Sequence, residues 1–527
     1  MKKWIALLLT AALLTGCSAP GAPETTNTEP EPVTEEAVKE DPMQAPDQDL
    51  TESPVVEASG REEVFQGRDD ISYVLIYNPG LYDENKNLYN EDLNETLSTG
   101  ELSDQIDVSL SRAGELEPME YEFIPVAQKS PSEALGSMEI DLTGSKADGL
   151  QPVYQAGDTH QFYVSFSDYE ASALKEFTCQ YVGEHCCVWI YGDTVSPEES
   201  EAYGKVFDSE IYERDVELFG TPRYAESGGK IHILFHPYEE GVLGFFHPLD
   251  LFATGEVSPA EVEQYGVNLD HAMLHINSLY VGLPGCEDMI NCTMAHEFQH
   301  LINFTDYFFC LIREFSSTWL NEGMSGYAEE SLFPGVKAEL EGHYEAFVRS
   351  SLIRHGQSMY SFKTDRYDIG VYGSVALFTQ YLANETDGEV YKRFHDYWRN
   401  SYSTTLCDAE ALYNSVPEAF IGEISDSFDY PSMVNFDTKE EEWMSKLVLN
   451  FYLSLLKYDE GDPEAYQLVQ AQTLLYDEDN PADIQGGGRV IVATMDGTFS
   501  IPENSDDGLL YLGLDENFRP ITDLAFK

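Results

Sequence analysis

The sequence predicts an α+β fold, and three observations carry that prediction. Short runs rich in β-branched and aromatic residues fill the chain from about residue 63 to 225. Apolar residues then recur at helical spacing between about 290 and 457. Beyond about 460 the text returns to short strand-like runs. At 527 residues the chain is too long for one core and fits two or three domains. With 42% hydrophobic and 13% aromatic residues, it has enough apolar side chain to bury sizeable cores.

The elements follow in order. Met1-Lys2-Lys3 and the run Trp4 to Leu14 form a basic segment followed by an apolar one too short to span a bilayer. It ends in Leu14-Thr15-Gly16-Cys17, which resembles the lipobox of bacterial lipoproteins. By that resemblance residues 1–17 are a signal peptide and Cys17 is the lipidated residue. The protein is then held by lipid on the outer side of the bacterial cell membrane. Residues 18–62, rich in Pro, Glu, Thr and Ala with almost no aromatics, read as a disordered acidic tether. Residues 63–225 read as a β-rich N-terminal domain, with strands expected near 71–77, 161–166 and 187–191. A second domain is expected over 226–459. It opens on strands near 230–235 and 274–280 and continues in helices near 291–304, 318–330, 338–355, 371–384, 387–399 and 439–457. Residues 460–527 read as a small C-terminal β region, with strands near 489–493 and 509–512.

Charge narrows the possible partners. There are 95 Asp plus Glu against 29 Lys plus Arg, a formal net charge of −66. Such a surface repels phosphate backbones and anionic headgroups, which argues against nucleic acid and leaves a covalent or apolar anchor as the route to a membrane. No EF-hand-like spacing accompanies the acidic residues. Of eight cysteines, Cys17 aside, seven remain, so at least one thiol is free or pairs with another chain. Cys179, Cys186 and Cys187 cluster, as do Cys286 and Cys292, but no C-x-x-C pair suggests a zinc knuckle.

The chemistry concentrates in Cys292-Thr293-Met294-Ala295-His296-Glu297-Phe298-Gln299-His300-Leu301-Ile302-Asn303-Phe304. On a helix His296 and His300 lie four apart on one face, where two imidazoles can grip one Zn²⁺. Glu297 lies beside them, within reach of a zinc-bound water. The surrounding Met294, Ala295, Phe298, Leu301 and Ile302 make the helix largely apolar, and such a helix should not bury these polar groups without partners. A zinc site needs a third protein ligand and an open position for water. About twenty residues on, Thr318-Trp319-Leu320-Asn321-Glu322-Gly323 offers Glu322 from a second, antiparallel helix.

H-E-x-x-H followed by W-L-N-E-G resembles the gluzincin metallopeptidases, and in this form is most similar to the hyicolysin-like family of bacterial peptidases. The likeness is strongest over about 230–385. It implies a zincin (thermolysin-like) catalytic domain with an active-site helix and a helical lower lobe, and hydrolysis of protein or peptide substrates with Zn²⁺ as cofactor. By the same likeness His296, His300 and Glu322 are zinc ligands and Glu297 is the general base. Glu329, seven residues after Glu322, holds the place of a glutamate that supports the site in aminopeptidase-type gluzincins. Tyr372 is the candidate donor to the oxyanion, with Tyr367 the runner-up. The departures are a longer gap between His300 and Glu322 and the absence of an upstream G-x-M-E-N motif; Gly136-Ser137-Met138-Glu139-Ile140 lies too early and ends in Ile. Thermolysin-like enzymes usually carry an Asp where Gly326 stands.

His271, His275 and His185 read as structural. An endopeptidase is the leading expectation. A binding lipoprotein with a peptidase-like fold has no need of Glu297, and an aminopeptidase lacks its motif.

Overall fold

The computed structural model of the chain describes residues 68–80, 96–102, 105–107, 127–129, 153–166, 172–222, 229–239, 242–252, 258–260, 262, 266–309, 318–333, 354–360, 369–400, 408–431, 434, 436, 438–456, 475–476 and 481–527. All belong to the second of two units, Met1–Arg61 and Glu62–Lys527. The expected signal peptide, tether and Cys17 lie outside the described residues, as do Tyr367 and all but the end of the helix expected at 338–355.

The chain opens with β1 (Tyr73–Tyr77), β2 (Thr96–Ser98), β3 (Ala127–Lys129), β4 (Thr159–Val164), β5 (Ala173–Val182) and β6 (Cys186–Tyr191). Helix α1 (Pro197–Val206) follows, started by a capping box in which Ser196 and Glu199 satisfy each other's backbone amides. A π-helical turn (Phe207–Ile211) leads into α2 (Tyr212–Phe219). Next come β7 (Ile231–His236), β8 (Val242–Phe246) and β9 (Ala272–Asn277). The helical part contains α3 (Glu287–Phe309), α4 (Thr318–Leu332), α5 (Ile369–Glu385), α6 (Val390–Asn400), α7 (Asp408–Tyr413), α8 (Glu418–Ser425) and α9 (Lys439–Ser454). Strands β10 (Asp483–Gln485), β11 (Arg489–Ala493), β12 (Leu510–Leu514) and β13 (Ala525–Phe526) close the chain. The result is a mixed α and β architecture. Among the described residues no helix is long and apolar enough to cross a membrane.

Seven strands form the larger sheet, in the order β3-β8-β9-β7-β6-β5-β4. Strands β6, β7 and β9 run parallel, whereas β8 runs antiparallel to β9. Side chains alternate across the sheet. Ile231, Ile233, Phe235, Leu274 and Ile276 join the main core with α3. Trp189, Leu234 and Met273 join a second cluster with Phe162 and Phe177 on the other face. With both faces covered, β7 and β9 are buried along their whole length.

A smaller sheet, β11-β1-β12-β13, ties the beginning of the described chain to its end. Leu75 pairs with Ile491 on one side and Leu512 on the other. The larger sheet therefore takes strands from both sides of the division expected at 225/226, and the smaller crosses that expected at 459/460. An all-apolar strand such as β1 reports that it is buried, not which strands it will pair with.

The central place of β1 gives a stability prediction. Leu75 is fully buried in the main core, so Leu75→Ala should cost about 2 to 5 kcal/mol. Denaturant unfolding followed by far-UV circular dichroism reads this; an unchanged midpoint would contradict the packing described.

Candidate metal centre

Helix α3 begins with Glu287 and Asp288, acidic residues suited to the positive end of the helix dipole. Its middle is buried on every side. Met294, Ala295, Phe298, Leu301 and Ile302 are apolar, and Thr293, His296, Glu297, Gln299, His300 and Asn303 are buried polar residues. Helix α4 packs against α3, and Trp319 to Gly326 on it are likewise buried. Gly323 explains how α4 itself is held. A Cβ there would lie 2.7 Å from Thr379 Cγ2 and 3.0 Å from Val375 O, so only glycine admits α5 this closely. Thr379 Oγ1 then donates to Gly323 O at 2.7 Å. The residue before it on the same helix is Glu322.

Three potential ligand atoms converge where α3 and α4 meet. His296, His300 and Glu322 each offer one, all within 4.8 Å of one another. Nε2 of His296 lies 3.4 Å from Glu322 Oε2, and Nε2 of His300 lies 3.7 Å from the same oxygen. These atoms attract electrostatically but are not aligned as hydrogen bonds, and neither Nε2 nor either Glu322 oxygen makes one. Ligands at about 2.0–2.1 Å in a tetrahedral arrangement stand about 3.3 Å apart, close to these separations. Two imidazoles and a carboxylate also suit Zn²⁺ by type. The residues present fit a metal ion.

The far side of each imidazole is held by other residues. His296 Nδ1 lies 2.9 Å from Glu329 Oε1, and a proton there leaves Nε2 with its lone pair toward the triad. Glu322 and Glu329, seven apart, share one face of α4. Around His300, Ser325 Oγ donates its one proton to Gln299 Oε1 at 2.6 Å and so accepts from His300 Nδ1 at 3.0 Å. Asn321 Oδ1, which also accepts from Asn303 Nδ2, lies 3.2 Å from His300 Nδ1. Asn321 and Ser325 are additions to the residues singled out from the sequence. Their spacing of four puts them on one face of α4, and that was the signal available.

Glu297 lies fully buried beside the triad, and neither carboxylate oxygen makes a well-formed hydrogen bond. Burial pushes its carboxyl up to about 8; Glu322 and Glu329 push the same way, while His296 and the Phe246 main chain on β8 pull back. Burial opposes charge on His296, but Glu322 and Glu329 outweigh it and raise this histidine to about 9. Burial lowers His300 to about 4, against the pull of Glu322.

Tyr372 is half-buried in the first turn of α5, the helix that packs along α4. Away from the centre, His275 bridges His236 Nε2 and Asp250 Oδ2 at 3.2 Å each. His271 Nε2 meets Tyr154 Oη at 3.2 Å, and His185 stacks on Tyr212 with ring centroids 3.7 Å apart. Cys179, Cys186, Cys187, Cys286 and Cys292 are free and buried; Cys310 and Cys407 lie outside the described residues.

No protein-family model matches the chain. The chain is similar to the neutral metalloprotease ShpI of Staphylococcus hyicus, with 24% identity over 265 residues, 47% of this chain. It spans 56% of that relative's length. That relative is named a metalloprotease, and here His296, His300 and Glu322 form a cluster able to hold a metal ion.

Metal affinity should depend on pH in a set direction. Without metal, His296, raised to about 9, holds a proton at neutral pH that an incoming cation must displace. Affinity should therefore rise as pH rises from 6 towards 9, about tenfold per unit for each proton released, and flatten above. Competition against a chromophoric chelator over this range reads the slope. A pH-independent affinity would contradict the cluster's electrostatics.

Proposed function

We propose that the protein is a zinc-dependent endopeptidase in which His296, His300 and Glu322 hold the metal and Glu297 is the general base. The observation that carries this is the convergence of three buried ligand atoms that make no hydrogen bonds, with a fourth buried carboxylate beside them. A structural centre would need no such extra carboxylate, whereas hydrolysis needs a base next to the metal. The hyicolysin-like resemblance of the two motifs and the similarity to a neutral metalloprotease support the same reading.

A zinc ion at this centre would polarise the scissile carbonyl and acidify the attacking water. Glu297 accepts the proton of that water and passes it to the leaving amine. Burial keeps its carboxylate away from competing water, beside the position of the metal. Glu329 orients His296 through Nδ1, and Asn321 and Ser325 orient His300. Tyr372 is the proposed donor to the developing oxyanion. The lipobox-like Leu14-Thr15-Gly16-Cys17 supports export and lipid anchoring through Cys17, with residues 18–62 as the tether.

Kinetics on an internally quenched peptide with blocked ends, with metal measured on the same samples, test the assignment. Glu297→Gln should keep its zinc and lose about 10² to 10⁴-fold in rate. Tyr372→Phe should lose about 10 to 10³-fold in kcat with little change in KM. Wild-type turnover by the Glu297→Gln protein would remove the mechanism. An unaffected Tyr372→Phe would remove only the tyrosine and turn attention to Tyr367. Glu322→Ala should lose metal on dialysis, and full occupancy would show that the third ligand is another residue. Cys17→Ser should move the protein from the detergent to the aqueous phase; equal partitioning would remove the anchor.

A further inference from the structure

The strand next to the metal centre is β8, and its position follows from its contacts with α3. A Cβ on Gly244 would lie 2.7 Å from Thr293 Cγ2. Phe246 meets Phe304 with ring centroids 5.7 Å apart. The Phe246 main chain also lies against Glu297. The inner edge of β8 pairs with β9, from Gly244↔Ile276 to Phe246↔Leu274. Its outer edge, on the other side, would be a row of open backbone donors and acceptors alongside the catalytic groups. Such an edge receives an extended peptide by adding it as a strand.

In this structure the outer edge is taken. β3 runs parallel to it, with Ala127 paired to Val242 and Lys129 to Phe245, and the register shifts between the two pairs. β3 is the last strand on that side of the sheet. It comes from the chain itself, more than a hundred residues before β8. In the sequence it is bracketed by Pro125 and Pro131, residues that confine pairing to a short stretch.

We infer that the Ala127–Lys129 strand is a built-in competitor for the peptide-binding edge of β8, so that the full chain is restrained until this segment is displaced or cut away. The inference rests on the peptidase reading and names the regulation of that same site. A tethered strand competes at an effective concentration in the millimolar range, far above that of most free peptides. A short, irregular pairing is also weak enough to be displaced. A competitor of this kind raises the apparent KM for a peptide and leaves kcat unchanged.

Proline substitution in the full chain tests it. Successive amides of a strand point to opposite edges, so either Gln128 or the pair Ala127 and Lys129 presents its N–H to β8. Gln128→Pro and the double variant Ala127→Pro/Lys129→Pro therefore form a matched pair, one removing inward donors and one outward. Replacement of 127–129 by three glycines, which weakens a strand without forbidding it, serves if the prolines unfold the protein. The readout is kcat and KM on a short blocked peptide, with zinc content measured on each sample. The variant that breaks inward donors should lower KM about tenfold or more at constant kcat and zinc. A synthetic peptide covering residues 124–132, added to that variant, should raise KM again. Equal KM in wild type and all variants, with no effect of the added peptide, would overturn the inference and leave the peptidase reading intact. Zinc-loaded wild type and variants that all fail to cleave any peptide would overturn the peptidase reading, and this inference with it.

Discussion

Two imidazoles and a carboxylate face one another inside an apolar core, and the meeting of α3 with α4 exists around that contact. Buried groups of this kind are costly to leave without partners. Everything near them has the effect of aiming them inward. Glu329 holds one imidazole, Asn321 and Ser325 the other, and Gly323 lets α5 press α4 into place. A cation at the centre would give the unbonded Nε2 and carboxylate atoms a partner. The same polar partners that orient the ligands also tie the two helices together, so the metal centre and the core that houses it share one set of contacts.

The β part of the molecule supplies the wall. The larger sheet lays its apolar face on α3, and β8, antiparallel to its neighbour, brings main chain alongside Glu297. The carboxylate is thereby shut away from water, and that burial pushes it above the ordinary carboxylate range. Burial, charge and position of this one residue are consequences of where the sheet lies.

Much of this was legible in the sequence because it is local. The apolar positions of α3 recur at helical spacing, and strands β7, β11 and β12 coincide closely with the runs expected there, while β9 overlaps its run only at 274–277. The four-residue spacing of His296 and His300 is enough by itself to put both on one helical face, and the spacing of Glu322 and Glu329 does the same on α4. What escaped is non-local. Nothing in Tyr73–Tyr77 says that its neighbours are residues 489–493 and 510–514, and nothing in Ala127–Lys129 says that it lies along β8. The role of Gly323 was hidden too, because a glycine reveals a close approach only when the approaching helix is in view.

The central claim is that one zinc ion sits between α3 and α4. Anomalous diffraction from crystals of the zinc-loaded protein, collected on both sides of the zinc absorption edge, measures this directly. A single edge-dependent peak bonded to His296 Nε2, His300 Nε2 and Glu322 is expected. A peak held by other residues, or protein that stays metal-free in zinc with these three side chains intact, would contradict it.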